Sequence, residues 1–146
     1  MKLRIPHAAC IVACDGRKAL FLRNEGDETY PNLKVEHVSE APDATAAQDS
    51  DRPGRIQNAA APSSAVEGTH WRTVAEQRFA QETGRTIEAL HRAGPQRAFI
   101  IAAPPRTLAV LRDCLDDTLR ASVLAEVDKD LTKHPVYEIE RLLTGG

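Results

Sequence analysis

Two closely spaced arginines stand in a stretch whose residue types suit the binding of an anion. The stretch reads Asp51, Arg52, Pro53, Gly54 and Arg55. Proline and glycine favour a turn that holds the two guanidinium groups apart, a geometry that suits phosphate or carboxylate. The neighbouring aspartate could orient one of the arginines. A solvated charged turn with an internal ion pair explains the same residues equally well.

A second basic feature is Arg106, which follows two consecutive prolines. Proline is tolerated in the first turn of a helix, where its missing amide hydrogen would have no partner anyway, so Pro104 and Pro105 predict a helix start. Free amide hydrogens and a guanidinium group at such a start together suit an anion. Arg112, nearly two turns further along, either extends this basic strip or is simply exposed.

Four acidic residues raise the alternative of a two-metal nuclease, which needs carboxylates that converge on paired divalent ions. They are Asp15, Glu76, Asp128 and Asp130. The end of the strand before Pro104, where such a site would place another carboxylate, offers none. Each acid also has an ordinary role, in a turn, on a solvated helix face or as a helix cap. The sequence therefore favours no metal site.

Nucleophilic catalysis has no recognisable set of residues. Cys10, Cys14 and Ser122 lie in or beside predicted strands, and neither His7 nor His134 is spaced to serve them. The two cysteines would share one face of a strand, which favours core packing. No histidine pair has zinc-site spacing, and the glycine-rich nucleotide-binding motifs are absent. We predict no cofactor.

Length and composition limit the class of protein. The chain has 146 residues, the usual size of one domain, so residues 1–146 are expected to form a single unit. A net charge of -2 argues against a broad basic surface for duplex DNA, although a local basic patch stays possible. Three cysteines without metal spacing favour a reducing compartment. The apolar start continues into a turn, and no run is long enough for a bilayer, which predicts a cytoplasmic protein.

Hydrophobic patterning predicts the elements. Buried strands are expected at 5–14 and 18–23, joined by a tight turn in which Asp15 and Gly16 adopt positive backbone angles. Residues 33–37 alternate like a strand with one wet face near a sheet edge. A mobile loop is expected at about 40–68, because that composition cannot offset the entropy of ordering. The remaining predictions are helix 69–92, strand 97–103, a helix from 105, strand 123–127, a turn at 128–132 and helix 135–143.

This order predicts an α/β fold with a mixed five-stranded sheet. Three antiparallel strands come first, followed by helix, strand, helix, strand and helix. Right-handed crossovers would add the last two strands parallel to the first. The arrangement is that of a ribonuclease H-like sheet, and a fold alone assigns no function.

Several segments, taken together and in order, resemble the host-attachment protein family, described as proteins required for attachment to host cells. They span nearly the whole chain: Asp15-Gly16-x-x-Ala19, Ser50-Asp51-Arg52-Pro53-Gly54-Arg55, Phe79-Ala80, Ala103-Pro104-Pro105-Arg106-x-Leu108-x-x-Leu111-Arg112 and Glu126-x-Asp128-Lys129-Asp130-Leu131-Thr132. The family is in turn similar to the middle domain of archaeal and eukaryotic class-1 release factors. There a Gly-Gly-Gln loop precedes a long helix; here the run from Ser50 to Arg55 has that place, and Gly-Gly-Gln is absent.

The resemblance implies an intracellular binding module that associates with the ribosome, tRNA or another structured RNA. It implies phosphate contacts by Arg52, Arg55, Arg106, Arg112 and Lys129, with Asp15, Asp128 and Asp130 in support. Two alternatives stay open: a hydrolase acting on an RNA or peptidyl-tRNA ester, and an indirect factor in attachment to host cells. No catalytic residue is assigned, no membrane contact is expected, and the oligomeric state is left open.

Overall fold

A mixed five-stranded sheet forms the centre of the protein. The structure is a computed structural model that describes residues 2–41 and 64–145, with side chains in the second range from residue 73 onward. The strands are β1 (Cys10–Cys14), β2 (Lys18–Asn24), β3 (Leu33–Glu40), β4 (Phe99–Ala102) and β5 (Val123–Val127). Their order is β3-β2-β1-β4-β5; β2 is antiparallel to β1 and β3, while β4 is parallel to β1 and β5. The predicted mixed sheet is confirmed.

Four helices lie in the described ranges. They are α1 (Ser64–Ala93), α2 (Pro105–Cys114), α3 (Asp117–Arg120) and α4 (Val136–Thr144). The short helix α3 was not predicted. None of the helices in the described part of the chain has the length and apolar character that crossing a membrane requires.

Helix α1 starts earlier than expected, so the loop predicted as far as residue 68 is wrong over 64–68. The run Ser64-Ala65-Val66-Glu67 has the alanine and glutamate that a helix accepts readily, and adding turns to an existing helix costs far less than starting one. The prediction is also wrong at residue 40, which belongs to β3, and residues 42–63 of the predicted loop lie outside the described residues.

The sheet is covered on both faces by different helices. Val12 and Ile101 belong to a buried cluster that also contains side chains of α1, α2 and α3. Their neighbours Ile11 and Ile100 belong to a second buried cluster that contains side chains of α4. Because successive strand residues point to opposite faces, β1 and β4 serve two cores at once. This explains their nearly continuous apolar sequence, which is typical of a strand buried on both sides.

The first strand is shorter than the predicted 5–14. It begins at Cys10, because the preceding residues form a turn in which the Ala9 amide donates to the Pro6 carbonyl at 3.1 Å. Ala8 in this turn has φ of 70°, in the left-handed region that non-glycine residues rarely adopt. A strand cannot run through this turn. Strand β4 is likewise shorter than predicted, by the residues at 97, 98 and 103.

The turn between β1 and β2 uses a side chain rather than positive backbone angles. Asp15 Oδ1 accepts from the amides of Arg17 at 2.7 Å and Lys18 at 2.8 Å. Gly16 does not lie in the left-handed region, so the prediction of positive angles at this turn is wrong. Its lack of a side chain matters for another reason, since a Cβ there would lie 2.5 Å from Glu76 Cγ on helix α1.

Strand β3 lies at one edge of the sheet, as predicted, but its alternation is interrupted. Leu22 pairs with Val35 and Phe21 with His37, which leaves Glu36 as the extra residue of a bulge. Because of the extra residue, the alternation of side chains between the two faces of β3 shifts by one residue at the bulge. Past Leu33 the strand is largely exposed, so the predicted division into one buried and one solvent-exposed face is wrong.

Candidate functional site

A pocket of about 350 Å³ lies where strands β1, β4 and β5 end, and we call it the carboxyl-edge pocket. Loops that follow parallel strands meet at one edge of the sheet, which is where α/β proteins most often bind ligands. Helix α1 and the start of α2 close its sides. The charged residues that line the pocket are Asp15, Arg17, Glu76, Arg106 and Asp130.

Two of the acids are tied together by a threonine. Thr132 donates from its hydroxyl to Asp130 Oδ1 at 2.6 Å, and the same hydroxyl lies 3.2 Å from Asp15 Oδ2. Asp130 Oδ1 also accepts from the Thr132 amide at 2.9 Å. The predicted role of these aspartates as turn residues is confirmed. Their contact joins the turn after β1 to the loop after β5.

Glu76 approaches the same pocket from helix α1. Its carboxylate sits against the backbone of Gly16, close enough that a Cβ there would lie 2.7 Å from Glu76 Oε2. The side chain is half-buried, so its assignment to a solvated helix face is wrong. Three carboxylates therefore line one pocket. In the part of the chain that the structure describes, no group of three His, Cys, Asp or Glu side chains has an arrangement that could hold a metal ion.

Helix α2 begins at the pocket, as its prolines predict. Pro104 is the N-cap and supplies no side-chain cap, and the first helical hydrogen bond runs from the Leu108 amide to the Pro104 carbonyl at 2.9 Å. The amides of Arg106 and Thr107 precede that bond, and neither has a partner among residues 2–41 and 64–145. Unpaired amides at a helix start carry partial positive charge and attract anions.

Two arginines stand beside these amides. Arg106 and Arg17 are exposed, and neither side chain has an ion pair with any described residue. A guanidinium group offers several N–H donors in a plane, which suits the oxygens of a phosphate or carboxylate. The arrangement can therefore hold an oxyanion between two side chains and a helix start.

The other basic residues of the predicted set lie elsewhere. Arg112 forms an ion pair with Glu126 of β5, which already neutralises its charge. The carbonyl oxygen of Arg112 accepts a hydrogen bond from the Arg120 side chain. Lys129 and Asp128 are exposed and do not line the pocket. The structure brings Asp15, Asp130 and Arg106 together and leaves these three apart.

The stretch from Asp51 to Arg55 lies outside the described residues. Ala41, the last described residue before that segment, donates from its amide to the Arg17 carbonyl at 2.7 Å. The chain therefore leaves the described part of the sheet beside an arginine of the carboxyl-edge pocket.

Cys10 and Cys14 pack in the core, as predicted. Burial raises the pKa of Cys10 to about 12. Burial also raises the pKa of Cys14 to about 12, and the nearby charges of Asp15 and Asp130 add to the shift. Both thiols stay protonated near neutral pH, which makes them poor nucleophiles. The partly exposed Cys114 has its pKa raised chiefly by desolvation.

Two histidines have ordinary local partners. His7 Nδ1 lies 2.8 Å from the Gly26 carbonyl oxygen, and His134 Nδ1 lies 3.3 Å from Glu138 one helical turn away. These contacts agree with their interpretation as ordinary residues rather than ligands of a site.

Sequence reasoning missed Arg17, which lines the pocket, and Thr132, which joins two of its acids. Arg17 follows Asp15 in the same turn, so its position after a buried strand was an available signal. Thr132 carried no such signal, because its second partner, Asp15, is far away in the sequence and only the parallel arrangement of β1, β4 and β5 brings them together.

Comparison with known proteins gives a match to a protein family. No curated protein matches the chain. The sequence model of the family described as "Protein required for attachment to host cells" matches residues 10–143, from the first residue of β1 to the last turn of α4. The match covers far more than half of the 146 residues and confirms the predicted family. The chain belongs to the family of proteins required for attachment to host cells.

Proposed function

We propose that this protein is a binding module for structured RNA, in the first place the RNA of the ribosome. In this proposal it holds a backbone phosphate in the carboxyl-edge pocket. The observation that carries the proposal is the convergence of Arg17, Arg106 and the free amides at the start of α2 on one pocket. Phosphate contacts of this kind dominate the affinity of proteins for nucleic acids.

The acidic side chains of the pocket weaken the binding of a phosphate. Asp15, Glu76 and Asp130 repel a phosphate, but Asp15 and Asp130 each have an oxygen occupied by local donors. The arginines are exposed and available. Repulsion by three carboxylates, at about 1 kcal/mol each for charges about 4 Å apart in water, costs about 3 kcal/mol, whereas charged hydrogen bonds from two arginines contribute about 3 to 6 kcal/mol. Direct contact with the arginines therefore makes the free energy of phosphate binding favourable.

The relation to the release-factor middle domain that we propose for this chain would favour RNA as the ligand. The strand order β3-β2-β1-β4-β5, with β4 and β5 parallel to β1, is compatible with this proposed relation. Long helix α1 follows the segment that contains Asp51 to Arg55, as a long helix follows the reactive loop in the release-factor middle domain. We assign that segment, with Arg52 and Arg55, a second phosphate contact, and exposed Lys129 a peripheral one.

The proposal places the protein in the cytoplasm, where ribosomes are. The family's described role in attachment to host cells would then be indirect, through synthesis or turnover of other components. Arg112 contributes less than first expected, because Glu126 already neutralises it.

A hydrolase acting on an RNA or peptidyl-tRNA ester is the second candidate. The observation that favours it is the position of Glu76 and Asp130 in the same pocket as the arginines, since a carboxylate can act as a general base beside a bound phosphate. The absence of Gly-Gly-Gln from the sequence places binding ahead of it.

Sedimentation of cell lysate through a sucrose gradient tests the proposal. The wild-type protein is expected in ribosomal fractions at about 50 mM salt and largely released at about 200 mM, because phosphate contacts weaken steeply with salt. Arg17→Gln combined with Arg106→Gln should move it to the top of the gradient. Arg52→Ala with Arg55→Ala tests the other segment separately.

Arg85→Gln is the matched control, since Arg85 is exposed on α1 and does not line the pocket. It should leave sedimentation unchanged. A wild-type protein that stays at the top of the gradient at low salt would overturn the proposal, as would equal effects of the pocket and control variants. Release of nucleotides or peptide from purified ribosomal substrates by wild-type protein but not by Glu76→Gln would instead favour the hydrolase.

A further inference from the structure

A second cavity, of about 490 Å³, lies at the opposite end of the sheet from the carboxyl-edge pocket. It forms where β1 and β4 begin, between the turn at Ala8 and the segment Gly94–Ala98 that follows α1. We call it the amino-edge cavity. Its volume falls in the range of about 300 to 1,000 Å³ that is usual for small-molecule sites.

The inner wall carries an arginine that is rigidly held. Arg97 donates from Nε to the Ala8 carbonyl at 2.7 Å and from Nη2 to Glu36 Oε1 at 2.5 Å. Its side chain is only 11% exposed. These two bonds use two of the five N–H donors of the guanidinium group, and the others have no partner among residues 2–41 and 64–145. Glu36 balances the charge of Arg97, as Glu126 balances that of Arg112, but the remaining N–H donors of Arg97 are oriented in advance and lie at a cavity.

The backbone that holds Arg97 is strained. Ala8 has φ of 70°, which costs a non-glycine residue about 1 to 2 kcal/mol. The strain is held by the hydrogen bond from the Ala8 amide to the Asn24 carbonyl, at 2.8 Å, and by the turn at Pro6. Its result is a carbonyl directed at Arg97. Strain that the surrounding structure maintains is concentrated at binding and catalytic sites.

Two more basic side chains line the cavity, and no lining residue, all of them within the described ranges, carries a carboxylate. Arg23 is 40% exposed, and its nearest acid, Glu25, lies 3.8 Å away, a weak contact. His7 lies 2.8 Å from the Gly26 carbonyl, which can only accept, so Nδ1 carries the proton and Nε2 is left for another partner. Arg97 and Arg23 thus present N–H donors to a lining without carboxylates, while their acidic partners Glu36 and Glu25 lie outside that lining.

We propose that the amino-edge cavity binds a small organic phosphomonoester. This proposal does not depend on the RNA contacts that we assign to the carboxyl-edge pocket. The phosphate lies between Arg97 and Arg23, whose planar donors match its oxygens, and Nε2 of His7 accepts a hydrogen bond from a hydroxyl group of the ligand. The organic part lies against Pro95 and Ala98, which supply the apolar wall. The site is independent of the proposed RNA contacts, because the two pockets share no residue.

Calorimetric titration of the full chain tests this site with adenosine 5′-monophosphate, ribose 5-phosphate and adenosine as probes. We expect both phosphate compounds to bind with a dissociation constant below about 1 mM, and adenosine to bind at least about tenfold more weakly. Arg23→Gln should weaken both phosphate compounds about tenfold or more, the loss expected for one charged hydrogen bond. It is the informative variant, because Arg23 is half-exposed and its replacement leaves the core intact.

Arg92→Gln is the matched control, with the same loss of charge on an exposed residue of α1 that does not line the cavity. It should change binding by less than about twofold. Equal weakening by both variants, or adenosine binding as tightly as its monophosphate, would overturn the proposal. An RNA oligonucleotide with a 5′-hydroxyl should not displace the monophosphate; displacement would assign the cavity to RNA and exclude a small-molecule site.

Discussion

At the scale of single residues, the turn after β1 shows that a glycine can be required by a neighbour rather than by its own backbone. Gly16 has no positive φ, and the turn is held by the Asp15 carboxylate. What excludes a side chain is Glu76, whose Cγ would lie 2.5 Å from an added Cβ. The glycine therefore lets helix α1 approach the pocket closely.

Gly16→Ala should lower the free energy of unfolding by about 1 to 3 kcal/mol, because the added methyl group forces Glu76 aside. Urea denaturation measures the change. In a Glu76→Ala background the same substitution should cost at least about 1 kcal/mol less, since the colliding atoms are gone. An equal cost in both backgrounds would show that the turn itself, and not the contact with the helix, rejects the side chain.

At the scale of elements, the four-residue helix α3 depends on one side chain at its start. Asp116 is the N-cap, and its Oδ1 accepts from the Leu119 amide at 2.7 Å. The helix buries Leu119 completely in the same core as α1 and α2. A helix this short has too few internal hydrogen bonds to form by itself, so its cap and this buried leucine hold it in place.

Asp116→Ala should reduce stability by about 1 kcal/mol, through loss of the acceptor for the Leu119 amide. Asp116→Asn is the matched variant, because asparagine keeps a side-chain oxygen and caps equally well; it should stay within about 0.5 kcal/mol of the wild type. Thermal unfolding followed by circular dichroism compares the two. If asparagine is as damaging as alanine, the charge and not the hydrogen bond is what matters.

At the scale of the whole molecule, the central strands bind two helical layers into one structure. Ile100 and Ile101 are adjacent and fully or almost fully buried, yet they belong to different clusters on opposite faces of β4. Removal of either side chain leaves a cavity in one of the two cores. Because β4 belongs to both cores, the loss of stability affects both. The two layers should therefore unfold together.

Ile100→Ala and Ile101→Ala should each lower the free energy of unfolding by about 2 to 5 kcal/mol, the usual cost of such a truncation. Each should shift the denaturant midpoint in a single transition with an unchanged slope. Leu124→Ala is the control on edge strand β5, where the side chain is 53% exposed, and it should cost less than about 0.5 kcal/mol. A separate early transition in only one isoleucine variant would show that the layers unfold independently.

Local patterns were sufficient for most of the elements. Strand β5 has the predicted bounds, and helix α4 differs by one residue at each end. The errors lie where a side chain or a distant contact acts: the bulge at Glu36, the turn that delays β1 to Cys10, and the Asp116 cap of α3. Such features leave no periodicity, because they depend on one residue each.

By itself the sequence determined the family, the mixed sheet, the start of α2 at its two prolines and the burial of Cys10 and Cys14. The family follows from the resemblance of several ordered motifs, and the other features follow from hydrophobic spacing and proline geometry, which act over a few residues. Only the tertiary structure decided which charged groups share a pocket. Asp15, Glu76, Arg106 and Asp130 come from four separate segments, and the parallel arrangement of β1, β4 and β5 brings them to one edge while Glu126 holds Arg112 elsewhere. Electrostatic contacts depend on distance in space, which spacing along the chain does not encode.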